Sequence, residues 1–175
     1  MKYMLKDDSV IFWCTGIEED EDAVASLING FLLDLSEKHK VFLHAYRLPY
    51  EDVFKLINPA AILERAEALL ESSKASYFHL KSAQVNSKYF AYATESIVYY
   101  FEDTVEWSDF LATRIDKPTK LIKEGLLSAY FASVDQGADF WFESNRVYEQ
   151  EVLRLFEHLS NLGYIIRQSS HLSFP

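Results

Sequence analysis

Two hydrophobic periods alternate along the chain. Residues 9–14, SVIFWC, form a short apolar run of β-favouring side chains that stops at Thr15 and Gly16, the pattern of a buried strand entering a turn. Beyond it Val24, Leu27, Ile28, Phe31, Leu32 and Leu35 recur at three- and four-residue spacing, with Asp20, Glu21, Asp34 and Lys38 on the opposite side. That spacing predicts an amphipathic helix. The strand signal returns in residues 40–47, KVFLHAYR. Strand, helix and strand in succession predict two parallel neighbours with the helix lying across one face of the sheet.

Asn58 followed by Pro59 has the form of an N-cap with proline at the first helical position, and Ile62, Leu63, Ala66, Leu69 and Leu70 continue as a stripe. A helix is predicted over 58–70, after a shorter helical turn within 50–57. SYFHLKSA (76–83) and KYFAYAT (88–94), joined by the turn-forming QVNS, predict an antiparallel hairpin, and ESIVYYFED (95–103) a further strand. A short helix is expected over 107–114. Asp116 and Pro118 open a firmer one carrying Leu121, Ile122, Leu126, Tyr130 and Val134 and closing at Gly137. ADFWFES (138–144) reads as a strand, with Ser144 capping a helix striped by Tyr148, Val152, Leu155, Phe156 and Leu159; Gly163 stops that helix and YIIRQ (164–168) is the last strand. The first and last strand–helix–strand units share a layout but little residue identity, the recurrence that packing alone produces. The expected fold is a single α/β domain over residues 1–175, with a mixed β-sheet flanked by helices on its faces.

Charge narrows the function classes. Seventeen basic and 27 acidic residues give a net charge of −10, which opposes direct contact with a phosphate backbone, so nucleic acid is not an expected ligand. The one cysteine, Cys14, cannot form an internal disulfide, and the opening MKYMLKDDSV carries no apolar run of secretory type. No stretch approaches the ~20 apolar residues of a membrane span. A cytoplasmic protein that does not enter the membrane is expected.

Catalytic signatures are sparse. Cys14 lies where a strand runs towards a helix, but Glu18, Glu19, Asp20, Glu21 and Asp22 follow it, and negative charge raises a thiol pKa, so a buried, inert cysteine is expected. That contiguous acidic run lacks the spaced oxygen ligands and central glycine of a calcium loop, and reads as a solvated first helical turn. The five histidines, His39, His44, His79, His158 and His171, show no zinc-type spacing, and no phosphate-binding glycine motif or nucleophilic serine motif occurs. No metal or cofactor is expected. One alternative remains open: a small-molecule or enzyme pocket at the C-terminal ends of the parallel strands near Cys14, Thr15 and His44, with His44 and His79 beside Tyr46, Tyr77 or Glu95 as acid–base candidates.

Residues 99–110, YYFEDTVEWSDF, suggest a different role. From 89 to 113 the chain has no lysine or arginine, while Glu95, Glu102, Asp103, Glu106 and Asp109 accumulate beside Tyr99, Tyr100 and Trp107. Strand alternation would turn Ile97, Tyr99 and Phe101 to one face and Val98, Tyr100 and Glu102 to the other, leaving one set available to a partner. Carboxylates beside aromatic rings suit the capture of a basic surface, because complementary charge speeds encounter and ring burial slows release. In size, acidity and these segments, EEDED and YYFEDTVEWSDF, the chain resembles bacterial immunity proteins of the contact-dependent inhibition type. The resemblance implies a non-catalytic inhibitor that covers the basic active site of a toxin such as a nuclease. Glu95, Glu102, Asp103, Glu106 and Asp109 would supply charge, and Tyr99, Tyr100 and Trp107 the anchors.

Overall fold

The structure is a computed structural model and describes residues 1–15, 21–45, 59–70, 73–81, 96–112, 118–134 and 139–172. Nine strands form one sheet: β1 (Lys2–Leu5), β2 (Ser9–Cys14), β3 (Lys40–Ala45), β4 (Ile62–Leu70), β5 (Ser73–Leu80), β6 (Ser96–Phe101), β7 (Ala129–Val134), β8 (Asp139–Asn145) and β9 (Arg167–Gln168). Among the described residues four helices accompany them: α1 (Glu21–Ser36), α2 (Trp107–Ala112), α3 (Pro118–Lys123) and α4 (Glu149–Asn161). The spatial order is β4-β5-β3-β6-β7-β8-β2-β1-β9. Every neighbouring pair is antiparallel except β1 with β9, so the sheet is mixed and the chain is an α/β fold.

Side-chain alternation sends two apolar sets to opposite faces. Val10, Phe12 and Cys14 of β2, Val41, Leu43 and Ala45 of β3, Tyr100 of β6 and Phe142 of β8 meet the apolar stripes of α1 (Val24, Ile28, Leu32, Leu35) and α4 (Val152, Leu155, Phe156, Leu159). Ile11, Phe42, Tyr99, Phe101, Tyr130 and Trp141 point the other way, beneath Phe110 of α2 and Ile122 of α3. Both faces of the central strands are therefore covered, which explains why β2, β3, β6 and β8 read as nearly continuous apolar runs.

Several expectations change. β2 and β3 run in the same direction, but β6, β7 and β8 lie between them, so α1 crosses three strands instead of joining neighbours. The helix expected over 58–70 is a short 3-10 turn at Pro59–Ala61 followed by β4, which pairs with β5 from Ile62↔Leu80 to Leu70↔Ser73. Cross-strand pairing has overridden the helix-favouring content of ILERAEALL. β5 pairs with β4 on one side and β3 on the other; KYFAYAT, the expected second arm of its hairpin, and the helical turn expected within 50–57 lie outside the described residues. The helix opened by Pro118 ends at Lys123: Gly125 takes a φ of +71°, and the chain re-emerges as β7, which contains Tyr130 and Val134. Asn145, not Ser144, caps the next helical turn, its Oδ1 accepting from the Val147 amide at 3.1 Å. β1 had no counterpart in the pattern reading. It pairs with β2 and holds the two-residue β9.

Candidate protein-docking face

β6 leaves the sheet at Phe101, and residues 102–106 with the first turn of α2 form a segment, 102–109, at the end of the sheet where β3 begins. Glu102, Asp103, Glu106 and Asp109 are all exposed, and local bonding holds Glu102, Glu106 and Asp109. Glu102 Oε1 accepts from Ser128 Oγ at 2.7 Å, and the Val105 amide donates to the Glu102 carbonyl at 3.1 Å, closing a turn. Glu106 stands at the N-cap of α2 and Asp109 three residues on; Asp109 Oδ2 accepts from the Glu106 amide at 3.3 Å, one half of a capping box. An acidic first turn also suits the positive end of the helix.

The rings behave differently from the acids. Tyr99 and Tyr100 are both 0 % exposed, Tyr99 in the cluster under α2 and α3 and Tyr100 in the cluster under α1 and α4. Neither reaches a partner from the folded surface, which corrects their assignment as docking anchors. The alternation was read correctly, but it does not reveal that helices cover both faces. Burial raises the Tyr100 hydroxyl pKa. Trp107 is half-buried. Its ring stacks on Phe110 at 5.6 Å between centroids and on His79 at 6.2 Å, and Phe110 in turn stacks on Phe42 at 4.6 Å. This aromatic ladder fixes α2 to the sheet and leaves Trp107 partly exposed.

The window also has a cation that its own sequence lacks. Lys40, opposite Phe101 in the β3–β6 register, donates to the Val105 carbonyl at 3.0 Å and to Glu106 Oε1 at 3.1 Å. Lys38 reaches Glu151 of α4 at 3.7 Å. Below this rim the His39 ring nitrogen Nε2 is hydrogen-bonded to the Tyr148 hydroxyl. Burial lowers the His39 pKa against the raising fields of Glu102 and Asp103, while burial, Glu102 and Glu151 all raise that of Tyr148. Glu102, Asp103 and Glu151 thus converge on one end of the sheet. Glu95 lies outside the described residues, as do Glu18, Glu19 and Asp20. Helix α1 opens at the other end of the sheet, where β2 finishes.

Of the alternative pocket, His44, Tyr77 and His79 do fall on the neighbouring strands β3 and β5, but among the described residues Cys14 does not join them, and Tyr46 and Glu95 lie outside the described residues. Cys14 is fully buried and faces α1 and α4. His44 belongs to the opposite face, stacked on Tyr77 at 4.4 Å, and stands four strands away from β2, roughly 19 Å at ordinary strand spacing. Burial pushes the His44 pKa down to about 4. His79 pairs with Glu64 across β4 and β5 at 3.0 Å. Among the described residues no group of three or more His, Cys, Asp or Glu side chains could hold a metal ion, and no helix is long and apolar enough to cross a membrane.

The pattern reading missed one polar centre altogether. Glu143 of β8 is 0 % exposed, yet Oε2 accepts from Thr119 Oγ1 at 2.7 Å and from the Tyr130 hydroxyl at 2.9 Å, and Oε1 from Ser9 Oγ at 3.2 Å. Trp141 Nε1 donates to Tyr130 at 2.8 Å and completes the chain. The signal was present: in DFWFESN, Glu143 shares a strand face with Trp141, an inward position for a carboxylate. The chain matches no protein-family model, no curated protein and no solved structure.

Proposed function

We propose that this protein is a non-catalytic binding domain whose 102–109 connection docks on a basic protein surface, acting in the cytoplasm as an immunity protein or inhibitor that covers the basic active site of a toxin such as a nuclease. One observation carries the reading: Glu102, Asp103, Glu106 and Asp109 are all exposed on one short segment, the connection from β6 and the first turn of α2, braced by Ser128, Lys40 and the α2 cap. Carboxylates already held in place lose less side-chain freedom on binding than mobile ones, so more of their charge complementarity is realised. Lys40 reduces the field at Glu106, so Glu102 and Asp103 carry the principal charge, with the partly exposed Trp107 as the apolar contact.

The test is association with purified basic toxin domains of the nuclease type, followed by stopped-flow at low and high salt. Replacing Glu102, Asp103 and Asp109 by their amides is expected to slow association by about tenfold or more at low salt and to flatten its salt dependence. An association rate that ignores all three substitutions would overturn the assignment.

A further inference from the structure

We infer that β4 is a self-complementary edge through which two copies of this chain pair, extending the sheet across a twofold axis at Ala66. The two ends of the sheet differ. β9 closes one with a two-residue strand, whereas β4 closes the other with nine residues, the longest strand in the structure. Among the described residues β4 has β5 as its one ladder neighbour, and none of residues 62–68 is buried; Leu63 is 56 % exposed. A long edge of this kind is a template for another strand unless charge prevents pairing.

Here the charges favour one pairing and oppose most others. The ladder with β5 is regular from Glu64 onward, beyond an irregularity between Ile62 and Glu64. An antiparallel match of this segment with its own copy about Ala66 places Arg65 opposite Glu67 of the second copy, and Glu67 opposite its Arg65. Glu64 then faces Ala68, and Ala66 faces itself. Opposite charges directly across a ladder stabilise it, and like charges destabilise it by similar amounts. A one-residue slip either sets Glu64 against Glu67 or leaves Arg65 opposite Ala68. Two-residue slips set Arg65 against Arg65 or Glu67 against Glu67. The sequence of this edge therefore specifies its own register, as an isologous interface requires. An open groove of about 600 Å³ lined by Pro59, Ile62, Leu63, Glu64 and Arg65 lies at the start of the strand, where the far end of the other copy's β4 would arrive.

Charge reversal tests the pairing. Sedimentation velocity on the full chain over a concentration series is expected to show a reversible monomer–dimer equilibrium. Arg65→Glu and Glu67→Arg should each weaken the dimer roughly 30-fold, since either change turns two attractive cross-strand pairs into repulsive ones. Mixing the two single variants should restore a dimer of near wild-type affinity, because each then supplies the charge the other needs. Both positions are exposed, and circular dichroism would confirm that the variants fold. A wild-type chain that stays monomeric throughout, single variants that dimerise like the wild type, or a mixture that stays monomeric would each overturn the inference.

Discussion

Glu143 occupies a place where an apolar side chain would satisfy the packing, and the fold keeps it by surrounding its two oxygens with hydroxyl donors from β2, β7 and α3. A buried carboxylate with satisfied acceptors tolerates burial; one with a donor turned towards those hydroxyls does not. Glu143→Gln keeps the shape but replaces an acceptor by a donor, and is expected to lower the unfolding free energy by about 2–3 kcal/mol in urea titrations. His44 makes a second prediction of this kind. Its folded pKa, about 4, is depressed from 6.5 by burial, so the unfolded chain binds the proton more readily. The neutral ring is compatible with the fold above about pH 6.5. As pH falls from there towards 4, stability is lost, by roughly 3 kcal/mol at most. His44→Phe, which keeps a ring against Tyr77, should remove that part of the slope; identical stability–pH curves for both proteins would refute the assignment.

At the scale of elements, what the pattern reading recovered and what it missed both have local causes. β2, α1, β3, β6, β8 and α4 carried unambiguous periods and were legible. β4 was not, because Ile62, Leu63, Ala66, Leu69 and Leu70 fit a helical stripe, and only pairing with β5, a contact outside the segment, makes ILERAEALL a strand. The α3–β7 boundary was missed for a different reason. Leu121, Ile122 and Leu126 continue a helical spacing into Tyr130, and nothing in that spacing records the left-handed turn at Gly125. A side chain added there would meet open space, so only backbone strain opposes it. Gly125→Ala is therefore expected to cost about 1 kcal/mol, read as a lowered urea midpoint with an unchanged m-value.

For the whole molecule, the acids of the docking face were legible because they lie within eight residues of one another, and its rings were not. Whether Tyr99 or Tyr100 reaches solvent depends on helices packed from distant parts of the chain, and Lys40 meets Glu106 only through the β3–β6 register. The same long-range pairing makes the sheet one cooperative unit: β2 is held by β8, and β3 by β6. Tryptophan fluorescence and far-ultraviolet circular dichroism should report a single shared unfolding transition. The three strands inserted between β2 and β3 also constrain how the protein is made. On the ribosome β2, α1 and β3 emerge well before β6, β7 and β8 exist to fill the space between them. The nascent first half therefore carries Phe12, Leu32 and Val41 without their final cover, and a holding chaperone has its longest opportunity there.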